Sequence, residues 1–153
     1  MKIVTIITFI VFIYLNLSIF DFIMSKERYK IYLAHSTDYD FVHKLYEPIK
    51  DSTLIKKYNI IFPHEANQKN FKSLEVIKSS KIILAEVSYP SIGLGIELGW
   101  ANISNIPILC FYESDKEISK SLKYITNNFC KYTNASDMIQ KLDNYLTIII
   151  KNV

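Results

Sequence analysis

Short runs of nearly unbroken apolar residues constrain this chain more than any other feature: KIYLA at 30–34, KIILAEV at 81–87 and IPILCFY at 106–112. A strand with one face in water alternates apolar and polar side chains, whereas a strand covered on both faces does not need to. Such runs therefore ask for a sheet with helices on both sides. Weaker strand patterns stand at 59–62 and 129–132. Between the strands the spacing predicts helices over 39–50, 68–79, 94–104, 117–127 and 136–150. In the last of these Met138, Leu142, Tyr145 and Ile149 recur at helical spacing. No internal repeat and no low-complexity segment interrupts the order.

Five βα units predict an α/β fold, a three-layer sandwich with a mostly parallel five-stranded sheet of the flavodoxin or Rossmann kind. A chain of 153 residues, 50% apolar, supplies one core of that size and no second domain. Its 18 basic and 15 acidic side chains give a net charge of +3 and are dispersed, which argues against a surface for nucleic-acid polymers. Cys110 and Cys130 stand among apolar or aromatic neighbours, with no CxxC pair and no histidine at metal-ligand spacing. They read as buried free thiols, and no metal or cofactor is expected.

Residues 3–23 form a hydrophobic segment about long enough to cross a bilayer as a helix, interrupted by Asn16, Ser18 and Asp21. A secretory signal fits poorly, because the run is long and no small-x-small cleavage site closes it. Two readings stay open: residues 1–24 are a membrane anchor, or they precede a true start at Met24. Lys26, Arg28 and Lys30 outnumber Lys2 on the other flank, so an inserted helix would keep the folded part in the cytoplasm. In both cases the working domain is cytoplasmic and spans 25–153.

Open parallel sheets bind ligands at the carboxyl ends of their strands. The residues there are His35 and Ser36 after the first strand, His64 and Glu65 after the second, Glu86 and Ser88 after the third, and Glu113 after the fourth. The stretch PSIGLGIELGWA follows the third strand as well. Gly93 and Gly95 suggest a tight turn with close backbone approach by a ligand, and the helix beginning there offers free N–H groups to an anion such as a sugar phosphate. On an ideal wheel Glu97 falls between Trp100 and Ala101 and beside Leu94, nearer the apolar stripe than a solvated face. A carboxylate in the first turn of a helix is held ionised by the dipole and local N–H groups, and when partly desolvated it is a competent nucleophile. Nicotinamide binding is excluded on spacing, since G-x-G-x-x-x-G is one residue too long and follows the third strand instead of the first.

The segments IYLAHS, IILAEVSYPSIGLGIELGWA and IPILCFY resemble the nucleoside 2-deoxyribosyltransferase family, more closely its 2'-deoxynucleoside 5'-monophosphate N-glycosidase branch. The resemblance covers residues 29–146, and G-x-G-x-E-L-G-x-A at 93–101 is its most specific part. It implies cleavage of an N-glycosidic bond, with Glu97 as the nucleophile that attacks C1' of the sugar and forms a glycosyl-enzyme ester, as in a retaining glycosidase. Tyr32 matches the tyrosine beside sugar and nucleophile. Ser91 matches a serine that holds the 5'-phosphate, and Ser121 a second one, supplied by the neighbouring subunit of a homodimer.

Two positions depart from the family. Ser73 stands where an aspartate protonates the leaving base, so the resemblance leaves that role to Glu86 or to the His64–Glu65 pair. His35 stands where glycine is usual, and either narrows the sugar pocket or donates to phosphate or base. Loss of the acid also suits a rival reading, a module that binds a nucleotide without cleaving it.

Overall fold

The structure, a computed structural model, describes residues 28–65 and 72–151. The hydrophobic segment at 3–23 and the first residues of the helix expected at 68–79 lie outside them. Five strands, β1 (Lys30–Ala34), β2 (Asn59–Ile61), β3 (Ile82–Glu86), β4 (Ile108–Glu113) and β5 (Phe129–Tyr132), form one sheet in the order β2-β1-β3-β4-β5. Every neighbouring pair is parallel. The chain leaves β1 for the edge strand β2 and returns on the other side as β3. The order thus reverses between β1 and β3, where such sheets open a crevice at the strand ends.

Helices cover both faces. A π-helical turn over Val42–Tyr46 runs on as an α-helix over Glu47–Lys50, together α1. Then come α2 (Leu54–Lys57), α3 (Ser73–Lys78), α4 (Ile92–Ile103) and α5 (Ala135–Lys151). Alternation along the strands assigns the two cores. Ile31, Leu33, Ile82, Leu84, Leu109 and Phe111 pack under α1, α2 and α5, which contribute Leu45, Ile49, Leu54, Met138, Leu142 and Leu146. Tyr32, Ala34, Ile83, Ala85, Ile108 and Cys110 point the other way, against Ile77 of α3 and Leu94, Leu98 and Ala101 of α4. Each face is dry, as the unbroken apolar runs require.

The helix expected over 117–127 is a 3-10 turn over Lys120–Tyr124 instead. Hydroxyl side chains compete there with helical backbone bonds. Ser119 Oγ accepts the N–H of Ser121, while Thr126 Oγ1 donates to the carbonyl of Ile108 and accepts the N–H of Asn128. In α4 the N-terminus lies two residues earlier than its apolar spacing suggests, because Ser91 is the cap and accepts the N–H of Leu94 at 3.3 Å. The helix stops in a Schellman arrangement: Asn105 is left-handed (φ 54°), its N–H bonds to Asn102 O, and that of Ile106 bonds to Ala101 O. Among the described residues no helix is long and apolar enough to cross a membrane.

Candidate active site

Tyr32 lies mid-strand in β1, fully buried and facing α4. Its hydroxyl donates to Glu97 Oε1 at 2.5 Å. Glu97 is only partly buried, so its carboxylate stands at the border of core and solvent. Burial raises its pKa above the ordinary carboxylate range, and hydrogen bonds from Tyr32 and from Ser73, the first residue of α3, pull it back down. Burial, with the Glu97 charge second, pushes the Tyr32 phenol far up, so it is a donor at any working pH. Three elements thus converge on one carboxylate, which lies beyond the first turn of α4, and its ionised form is disfavoured by burial and only partly recovered through two hydroxyls.

Glu86 is elsewhere. Alternation along β3 sends it to the sheet face opposite Tyr32, with zero exposure. Its Oε1 accepts from Ser88 N and Oγ and from Tyr132 OH, while Oε2 is buried without a partner. Burial raises its pKa. This enclosure does not favour the proton-donor role considered for Glu86 from sequence, because a buried strand-end carboxyl bonded to its own turn presents no proton to a substrate.

His35 and His64 form a small aromatic cluster with Phe41, Tyr46 and Phe62. His35 Nδ1 lies 2.7 Å from the carbonyl of Ser36, which can only accept, so Nδ1 carries the proton. Nε2 therefore accepts from Tyr46 OH at 2.7 Å, and the same hydroxyl accepts the N–H of His64 at 3.2 Å. Both ring nitrogens are used, and burial lowers the His35 pKa to about 4, so at neutral pH the ring is an uncharged wall. Glu65 pairs with Lys50 at 2.7 Å on the surface. Ser36 Oγ accepts the N–H of Asp38 in a local turn. Glu113 accepts from Tyr89 OH and faces Lys44.

Ser91 and Ser121 line one cavity of about 340 Å³, with Pro90, Leu94, Gly95 and Ser119. Glu97 is not in its lining; the cavity lies on another flank of α4. Gly93 and Gly95 are helical, not a loop, and neither has a positive φ. A Cβ at either would meet nothing within 4 Å. Two residues apart, they stand on different sides of α4, and of the two Gly95 lines the cavity of Ser91 and Ser121. Sequence reasoning missed Tyr46 and Tyr132, which hold His35 and Glu86; each is an aromatic residue in an apolar context, with no local signal of its bond. Cys110 and Cys130 are free thiols, the second only half-buried, and no metal-ligand cluster occurs among the described residues.

No protein-family model matches the chain. A Thermofilum pendens protein named "Putative 2'-deoxynucleoside 5'-phosphate N-hydrolase 1" is 32% identical over 89 residues, covering 55% of this chain and 60% of that one. A Syntrophotalea carbinolica protein of the same name is 41% identical over 51 residues, 33% of this chain and 36% of that one. A solved structure of a Clostridium botulinum CMP N-glycosidase superposes with a TM-score of 0.57 at 20% identity, covering 76% of this chain and 98% of that one. Together they support the nucleoside 2-deoxyribosyltransferase-like family. The sheet order and helical layers described above are the fold shared with the glycosidase. Against the two hydrolases the match covers less than two thirds of either relative's length.

Proposed function

We propose that this protein cleaves the N-glycosidic bond of a nucleoside 5'-monophosphate, with Glu97 as nucleophile. The observation that carries the reading is the partly buried Glu97 carboxylate bonded to Tyr32 OH at 2.5 Å. The names of the similar proteins, nucleotide N-hydrolases and a CMP N-glycosidase, agree with it. In the first step a Glu97 oxygen bonds to C1' as the C1'–N bond breaks, and the base departs with the electron pair and takes up a proton from solvent. In the second, water attacks C1' and gives up a proton to solvent, the ester opens, and Glu97 returns as a carboxylate. A second base in place of water would make the same intermediate a transfer reaction.

Ser91, Ser121 and Gly95, which line one cavity, are the proposed phosphate side. His35 and His64 are the proposed wall of the base side. We assign the second subunit of a homodimer to the outer face of α4. There Ile92 is 85%, Ile96 47% and Ile103 81% exposed in a single helical stripe.

Ser73 favours a second reading, a nucleotide-binding module, since a serine does not supply the proton a purine or pyrimidine leaving group needs. One experiment separates the two. The protein is incubated with a panel of nucleosides, deoxynucleosides and their 5'-monophosphates, and free base is measured. Release from one monophosphate class is the expected outcome; binding of a monophosphate with no base released from any substrate supports the module.

A further inference from the structure

Glu86 is costly where it stands. A carboxylate taken out of water is destabilising unless its partners return the energy, and an apolar side chain would fill the space at less cost. Its bonds show what it holds. Oε1 gathers Ser88 Oγ, Ser88 N at 3.3 Å and Tyr132 OH of β5 at 3.1 Å. Ser88 Oγ also accepts the N–H of Glu113, at the end of β4, at 2.7 Å. The ends of β3, β4 and β5 are therefore tied through one oxygen and one hydroxyl to the turn Val87–Ser91. That turn ends on Ser91, the cap of α4, and less than two helical turns later Glu97 meets Tyr32.

We propose that Glu86 is a positioning residue whose buried carboxylate fixes the turn Val87–Ser91, and through it the placement of Ser91 and Glu97. The inference rests on the reading of Glu97 as the reacting group, but its local part does not depend on catalysis.

The test uses Glu86→Ala, Glu86→Gln and Ser88→Ala in the full chain, with Leu142→Ala in α5, on the same face of the sheet as Glu86, as a control that lowers overall stability without touching the turn. Hydrogen exchange is followed in peptides from 87–97 and from 138–146, and base release is followed with ordinary substrates and with ones carrying an activated leaving group. Glu86→Ala and Ser88→Ala should speed exchange at 87–97 about tenfold or more while sparing 138–146, and the control should loosen both. Turnover should fall about 10- to 100-fold, alike for ordinary and activated substrates, because misplacement of a nucleophile does not depend on the leaving group. Glu86→Gln, which keeps an acceptor oxygen, should recover most of both losses.

Unchanged exchange at 87–97, or exchange raised equally everywhere, overturns the proposal. So does a Gln variant as slow as the Ala variant with activated substrates spared, which would make Glu86 the proton donor. Should Glu86→Ala fail to fold, Ser88→Ala decides alone. If the parent protein releases no base, the proposed activity fails, and the exchange measurements still decide the clamp.

Discussion

At the residue scale, Glu97 sits where burial costs stability. Its pKa is raised in the folded protein by burial, so folding favours the protonated carboxyl, and the stability it contributes is present at low pH and lost as pH rises through the folded value. Glu97→Gln, uncharged at every pH, should therefore melt higher than the parent at pH 7, and the difference should vanish in acid. The same variant should lose base release by several orders of magnitude while retaining nucleotide. Tyr32→Phe removes a hydrogen bond that holds the carboxylate ionised. The acid limb of kcat/KM should move to higher pH and the plateau fall about 10- to 100-fold, the worth of a bond to a charged group. An acid limb that stays in place would separate Tyr32 from the nucleophile. For Ser91→Ala, a KM increase of about ten- to a hundred-fold is expected for monophosphates and little for nucleosides, read from paired saturation curves.

At the scale of elements, α4 carries the proposed nucleophile, and both its ends are defined by single residues. Ser91 starts it and Asn105 stops it, the latter in a left-handed conformation that costs most residues about 1 to 2 kcal/mol. Asn105→Ala should lower stability by about that amount in denaturant titration, and Asn105→Gly should be neutral or stabilising. Gly93, Gly95 and Gly99 work against this helix, since each glycine inside a helix costs roughly 0.5 to 1 kcal/mol relative to alanine. Packing within the chain does not require them, because an added Cβ would meet nothing within 4 Å. What they supply is access to the backbone from outside.

At the scale of the whole molecule, the outer stripe Ile92, Ile96 and Ile103 is an apolar surface adjoining the cavity that holds Ser91 and Ser121. A second copy seated there would bury it. Ile96→Asp with Ile103→Asp should then convert a dimer to a monomer by light scattering and depress monophosphate cleavage. A parent that is already monomeric at micromolar concentration would remove the homodimer from this account.

Some of this was legible without coordinates. Unbroken apolar runs can be satisfied only by a sheet dry on both faces, and the stretch around Glu97 carried its resemblance in a contiguous motif. Period-two alternation even separates Tyr32 from Ile31 and Ala85 from Glu86. Which helices cover which face is another matter, because it follows from strand order and from the handedness of each crossover, and those arise from contacts remote in sequence. Tertiary structure alone put α4 and Ser73 over Tyr32, turned Glu86 to the opposite side, and placed the groove of Ser91 and Ser121 on a different flank of the helix from Glu97. It also brought Tyr46 of α1 to His35 Nε2, whereas the Nδ1 proton follows from the carbonyl of the adjacent Ser36. Sequence determined which groups could react; folding decided which of them meet, because proximity across a sheet depends on the packing of the entire chain.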